Sequence, residues 1–364
     1  MLLFFLGTKA QLIKTAPLIK ECERQNVPYK FIFLSQHWNT IDELLKDFEI
    51  PPPDIYILKG HDVTRAWVMP LWGLKVLWGI YRQRKRIFST PHEIVVVHGD
   101  TISTLIGAFV GKCARRKVAH VESGLRSFNL LHPFPEEIIR ICTFYLSDYY
   151  LCPGQIPLQN LSRFGGEKIN THVNTLYDSL TIALEKASNL PKIENIYAIC
   201  SLHRFENIYS KQKLTEVINL VKMVANTIPL FFVLHLPTVN KLKKFGLLHE
   251  LESHPNISLL PRQGFVRFIQ FINNAEFVIT DGGSNQEECF YLGKPCLLLR
   301  QCTEREEGLS GNVLLSKFER KNVEDFVHNY HKFLRPRFQA TTSPSQLAVK
   351  YLADVIRKIE SARS

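Results

Sequence analysis

The sequence has no Cys-x-x-Cys pair, no run of about 20 apolar residues and no tail of like charge. Each absence removes a class of protein. Eight cysteines scattered at wide spacing build neither a zinc site nor a disulfide scaffold, so reduced thiols in a cytoplasmic enzyme are expected. No membrane span is predicted. The opening Leu2-Leu3-Phe4-Phe5-Leu6 has no basic residues ahead of it and no small-residue cleavage site behind it, so it reads as a buried strand rather than a secretion signal. The net charge of +11 is spread along the chain, apart from Arg82-Gln83-Arg84-Lys85-Arg86, and no basic stripe with interleaved aromatics stands out. An anionic small molecule is therefore the expected ligand, and nucleic acid is not. There is no internal repeat and no low-complexity segment.

What is present is enough apolar material for two cores: 364 residues, 45% of them hydrophobic. Short apolar runs alternate with helical patterns along the whole length, which predicts α/β architecture with parallel sheets. Strands are expected over 2–6, 30–34, 94–97, 118–121 and 149–152, with helices over 10–25, 39–48, 101–112 and 156–164. Pro51-Pro52-Pro53 closes the second unit, and Gly165-Gly166 breaks the chain. The alternation then restarts, with strands over 196–200, 230–234, 258–260, 277–280 and 296–299. The expectation is two doubly wound, Rossmann-like domains facing across a cleft: 1–170, 171–340, and a last helix within 341–364 that crosses back to the first.

Trp67, Leu71, Leu74 and Trp78 recur at helical spacing just before the basic cluster. Tryptophan at that spacing is usually core, so a core-facing helix ending in solvated charge is the expected reading. Contact with an anionic membrane surface is the weaker alternative.

Three acids stand at the mouths of buried elements. The run Ile94-Val95-Val96-Val97 stops at His98-Gly99-Asp100-Thr101, and the run 118–121 ends at Glu122-Ser123-Gly124-Leu125-Arg126. Pro133-Phe134-Pro135-Glu136-Glu137 then opens a helix. Ligands of open parallel sheets bind at the carboxyl ends of the strands, so Asp100, Glu122 and Glu136 are candidates for one crevice. In the second half, Thr280-Asp281-Gly282-Gly283-Ser284 joins a strand to a helix whose free N–H groups suit a phosphate or diphosphate. Glu288 lies four residues after Ser284, on the same helix face, where a carboxylate can accept from ribose hydroxyls. His203 and Arg204 follow a strand end at the same rim and are suited to a departing phosphate, although a His203–Glu206 pair reads equally well. Arg300 and Thr303-Glu304-Arg305 add cationic charge there, as an exposed loop also would.

Together these motifs resemble the bacterial UDP-N-acetylglucosamine 2-epimerases, whose two-domain fold is shared with GT-B glycosyltransferases. The resemblance is carried by His98-Gly99-Asp100-Thr101, His120 to Arg126, Pro133 to Glu137, Asn174-Thr175, His203-Arg204, Thr280 to Gly283, Gln286-Glu287-Glu288 with Gly293-Lys294-Pro295, and Thr303 to Arg305, in order over nearly the whole chain. It implies inversion at C2 of UDP-GlcNAc through loss and re-addition of UDP, with no metal or other cofactor, in a homodimer. It makes Asp100, Glu122, Glu136 and His203 the catalytic group. It assigns Lys9, Lys14, Gln263, Phe268, Gly282, Gly283, Ser284, Glu288 and Arg305 to the nucleotide, and Arg126 and Arg204 to the substrate as well.

Some positions depart from the family. Where it usually has Gly-Thr-Arg-Pro-Glu, this chain has Gly7-Thr8-Lys9-Ala10-Gln11, and Ser284 follows the paired glycines instead of preceding them. Gln36-His37 and His235 resemble parts of a regulatory UDP-GlcNAc site, from which Trp38 and Asn39 depart. A hydrolysing epimerase, a GT-B-type glycosyltransferase and a silent nucleotide-sugar sensor are the competing readings.

Overall fold

Strand β1 (Leu2–Leu6) is five apolar residues, all buried, and a strand covered on both faces requires helices on both sides of its sheet. The structure, a computed structural model, describes residues 1–36, 41–60, 69–130, 134–191, 193–303 and 305–361. It divides into two units, Met1–Ile182 with Ala340–Ser364, and Ala183–Gln339.

In the first unit the chain runs on through α1 (Lys9–Arg24), β2 (Tyr29–Phe33), α2 (Ile41–Phe48), β3 (Ile55–Tyr56), α3 (Met69–Ile87), β4 (Ile94–His98) and α4 (Ile102–Cys113). It continues as β5 (Lys117–Val121), α5 (Glu136–Tyr145), β6 (Tyr149–Cys152), α6 (Gln155–Asn160), β7 (Glu167–Asn170) and α7 (Leu176–Ala187). All seven strands are parallel, in the order β3-β2-β1-β4-β5-β6-β7. The order reverses between β1 and β4, so the loops leaving these two strands diverge and open a binding crevice at their carboxyl ends. Helix α4 lies close over this point because Gly107 lacks a side chain: a Cβ there would meet Val97 Cγ1 at 2.8 Å and Phe5 Cβ at 2.9 Å.

The second unit repeats the design with β8 (Ala198–Leu202), α8 (Phe205–Ile208), α9 (Lys211–Ala225), β9 (Leu230–Leu234), α10 (Leu236–Phe245), α11 (Leu248–Glu252) and β10 (Ile257–Leu260). Then follow α12 (Phe265–Asn274), β11 (Val278–Thr280), α13 (Gly283–Leu292), β12 (Cys296–Leu298), β13 (Val313–Leu315) and α14 (Arg320–Asn329). Its parallel order is β10-β9-β8-β11-β12-β13, with the switch between β8 and β11. The final helix, α15 (Pro344–Ser361), packs on α1, and its entry is held by Asp178, which accepts from Ser343 Oγ at 2.9 Å and Ser345 N at 2.8 Å. The doubly wound α/β architecture read from the alternation is the one observed.

One local reading is corrected. The buried face of α3 is Trp72, Val76 and Ile80, whereas Leu71, Leu74 and Trp78 are each more than half exposed; Trp67 lies outside the described residues. The helix is apolar on two sides, and the spacing chosen from the sequence belongs to the outer one. Gly165-Gly166 breaks the chain between α6 and β7, where Gly166 takes φ +91° and a Cβ would lie 2.4 Å from Asp148 O.

Candidate functional site

Each unit gathers polar groups at its own switch point. In the first, Thr8 caps α1 by accepting from Gln11 N, and Gln11 Oε1 accepts in return from Thr8 N and Gly7 N. The same amide donates through Nε2 to His98 O and Thr104 Oγ1, both at 2.9 Å. A carboxylate at this position would have no hydrogen to offer His98 O.

Glu122, just beyond β5, has φ +59°, a strained conformation for a side-chain-bearing residue. Lys14 Nζ and Asn174 Nδ2 each lie 2.6 Å from its Oε1, and His98 Nε2 lies 3.2 Å from Oε2. The Lys14–Glu122 pair is almost wholly buried, so the carboxylate and its cation neutralise each other out of water. Burial pushes His98 down to about 3, with Glu122 opposing, and pushes His120 down to about 4. Both imidazoles are neutral at pH 7. His120 donates from Nε2 to Gly99 O at 2.7 Å and accepts at Nδ1 from Ser123 Oγ at 3.0 Å, which fixes the loop carrying Asp100 against the loop carrying Glu122.

Asp100 is held by Arg140 Nη2 at 2.5 Å. Arg140 belongs to α5, one turn after Glu136, so Glu136 and the partner of Asp100 share a helix face. Arg140 Nη1 also reaches Glu137 Oε2 at 3.2 Å, and Glu137 accepts from Ser127 N and from Arg126 Nε. Burial pushes Glu137 up, but the Ser127 N–H and the Arg126 guanidinium outweigh it and hold the carboxyl below its ordinary range. Glu137 is therefore the bracket and its neighbour Glu136 the acid with an oxygen to give: Glu136 Oε2 is buried without a hydrogen-bond partner among the described residues. Arg126, besides meeting Glu137, stacks its guanidinium 4.8 Å from the Phe128 ring centre. Lys9 opens α1 at the same rim and is half-buried.

The second unit is built around Asp281, which is fully buried. It accepts from His203 N at 2.9 Å, Arg204 N at 3.0 Å and Asn207 Nδ2 at 3.0 Å, tying the loop after β8 to the loop after β11. His203 Nδ1 lies 3.5 Å from Asp281 Oδ1, and Glu206 is taken by Arg300 Nε at 3.2 Å, so His203 and Glu206 have different partners. Burial lowers the His203 imidazole below its ordinary range, Arg204 and Arg262 add to the fall, and Asp281 opposes it.

Helix α13 begins at Gly283 with Gly282 as its cap and no capping side chain, leaving first-turn N–H groups for a ligand. A Cβ on Gly283 would sit 3.1 Å from Arg305 Nε and 3.5 Å from Arg204 Nη2, so two guanidinium groups flank the helix start. Arg305 is steered there by Glu287 Oε2 at 2.9 Å, on a carboxylate that is itself fully buried. Ser284 is exposed at the helix entrance, and Glu288, a turn further on, is buried. Gln263 and Phe268, both half-buried, flank the start of α12, with Gln263 Nε2 donating to Pro261 O at 2.7 Å. Gln36 accepts from Ser103 Oγ at 2.7 Å, and His235 meets Ser201 Oγ at 3.1 Å; His37, Trp38, Asn39 and Glu304 lie outside the described residues.

Sequence reasoning had missed Arg140, although its signal was present: a cation four residues after Glu136 on a predicted helix. Among the described residues, no group of three or more His, Cys, Asp or Glu could hold a metal, and no helix is long and apolar enough to cross a membrane.

Two parallel doubly wound units, of seven and six strands, are the architecture of the GT-B-like fold class. The UDP-N-acetylglucosamine 2-epimerase family profile matches residues 20–348, and the chain belongs to that family. It is 33% identical over 342 residues to the UDP-N-acetylglucosamine 2-epimerase of Methanocaldococcus jannaschii, covering 88% of this chain and 89% of the relative. The crystal structure of the M. jannaschii UDP-GlcNAc 2-epimerase in complex with UDP-GlcNAc and UDP is similar with a TM-score of 0.82 and 28% identity, over 97% of this chain and 99% of that one. The Neisseria meningitidis UDP-GlcNAc 2-epimerase bound to UDP-GlcNAc is similar with a TM-score of 0.79 and 26% identity, over 98% and 99% of the two chains.

Proposed function

We propose that this chain interconverts UDP-GlcNAc and UDP-ManNAc by eliminating and re-adding UDP. The observation that carries the reading is the acid group of the first unit, with Asp100 on Arg140, Glu122 on Lys14 and Asn174, and Glu136 one turn before Arg140 on α5, in a chain that belongs to this family. A C2–H beside an acetamido group is barely acidic, and departure of UDP builds positive charge at C1 that acidifies it. The C1–O bond to UDP breaks as a carboxylate removes the C2 proton, giving 2-acetamidoglucal and UDP. UDP then re-adds at C1 while an acid delivers a proton to the opposite face of C2.

Asp100, oriented by Arg140, and Glu136, with its unpartnered oxygen, are assigned the proton transfers. Glu122, pinned by Lys14 and Asn174, is assigned to stabilise the oxocarbenium-like charge. The start of α13 with Arg204 and Arg305 is assigned the diphosphate, and His203 the charge of the leaving group. No oxidant or reductant enters this scheme. Resolving the products of UDP-GlcNAc turnover by ion-exchange chromatography tests it. UDP-ManNAc in equilibrium with substrate is expected, whereas free UDP with ManNAc in equal amount assigns a hydrolysing enzyme.

We further infer a cytoplasmic homodimer supplying precursors of surface polysaccharides. Eight free cysteines suit a reducing compartment. Leu71, Leu74, Trp78 and Tyr81 form an exposed seam on α3 with the three-four spacing of helix-on-helix packing, which favours a second copy of this chain over a lipid surface. Sedimentation should give a dimer that Leu74→Glu with Trp78→Glu converts to a monomer; an unaltered dimer contradicts this interface. Salt-sensitive binding of the wild type to acidic vesicles would assign the seam to a membrane instead.

A further inference from the structure

Asn285 occupies the first turn of α13 and is nearly buried. Its side chain bridges two elements. The Thr280 hydroxyl, at the end of β11, donates to Asn285 Oδ1 at 3.0 Å, and Asn285 Nδ2 donates to Glu288 Oε2 at 2.8 Å. The Glu288 carboxylate decides which way the amide points, because the reversed amide would set its oxygen against Glu288 Oε2. Thr280 is anchored in turn: its Oγ1 accepts from Gly282 N at 3.0 Å, and its one hydrogen faces both Asn285 Oδ1 and Ser201 O, each at 3.0 Å. Glu288 is thus connected, through one amide, to the same strand end that carries the glycines of the phosphate loop.

The chain makes room for this amide at Gly282. A Cβ there would lie 2.9 Å from Asn285 Oδ1 and 2.9 Å from His203 Cε1. Glycine at 282 and asparagine at 285 therefore form one device, which accounts for the glycine pair standing ahead of Ser284. The hydroxyl that would cap the helix from position 282 is given up, and an amide that fixes Glu288 takes the space.

We propose that Asn285 is a positioning residue that orients the Glu288 carboxylate toward the sugar of a ribonucleoside diphosphate, making the site select ribose hydroxyls. The inference rests on the reading that the start of α13 binds the nucleotide. Removing the amide takes away the hydrogen bond that Asn285 Nδ2 gives Glu288 Oε2. The diphosphate contacts, made by backbone N–H groups and by Arg204 and Arg305, are left as they were.

Titration calorimetry with UDP and with 2′,3′-dideoxy-UDP on the full chain separates these effects. Wild type is expected to prefer UDP by about tenfold or more, the weight of hydrogen bonds to a charged acceptor. Asn285→Leu should reduce the preference to about threefold or less with dideoxy-UDP affinity unchanged, and Asn285→Asp, which sets a second carboxylate against Glu288, should do the same. An unchanged preference in the folded variants overturns the proposal, as does a parallel loss of both nucleotides, which marks a merely structural role. Failure of wild type to bind UDP at all sinks the nucleotide reading beneath it and the proposal with it.

Discussion

A single amide, that of Gln11, joins the loops leaving β1 and β4. Gln11→Glu would set a carboxylate oxygen against His98 O, and a loss of about 1–3 kcal/mol in unfolding free energy is expected by urea titration; unchanged stability would contradict the bracket. The neutral histidines give a second prediction. The unfolded chain protonates His98 and His120 near their ordinary 6.5, whereas the folded chain refuses the proton down to about 3 and about 4. Between those limits the unfolded state binds more protons, so stability falls as pH drops below about 6.5 and levels off above it. Each histidine contributes a slope of about 1.4 kcal/mol per pH unit, and stability measured from about pH 7 to about pH 5 should show it. A flat profile would mean that these imidazoles take up protons when folded. Asp100 and Glu122 were legible as candidates because each closely follows an apolar run, and Glu136 because it heads a helix. The supports of Glu122 were not: Lys14 and Asn174 lie far along the chain, and only folding brings them to the carboxylate.

Long elements announce themselves and short ones do not. β1, β4 and β5 are near-continuous apolar runs, and their places in the sheet follow from burial on both faces. β7 escapes sequence reading because Glu167-Lys168-Ile169-Asn170 is a polar, largely half-buried edge strand. α3 misleads in a different way: a helix with two apolar faces gives the same periodicity whichever face is inward. α4 carries a prediction of its own. Gly107→Ala drives a methyl group into Val97 and Phe5 and should cost about 1–3 kcal/mol, read as a lowered thermal midpoint; a neutral result would mean that the helix can lift off the sheet freely.

At the scale of the whole molecule, one architecture appears twice. One unit brings carboxylates supported by buried cations, and the other brings an uncapped helix start flanked by guanidinium groups. The alternation of apolar runs and helical patterns was enough to read two doubly wound units from the sequence, because buried parallel strands are local apolar runs. The central claim is that proton exchange at C2 is the chemistry of the acid group and that Asp100 carries it. NMR of UDP-GlcNAc incubated with the protein in deuterated water tests it directly. Solvent deuterium at C2 with wild type is expected, together with a loss of about a hundredfold or more in Asp100→Asn that leaves UDP binding intact. Turnover without deuterium at C2, or exchange by Asp100→Asn at the wild-type rate, would contradict the account.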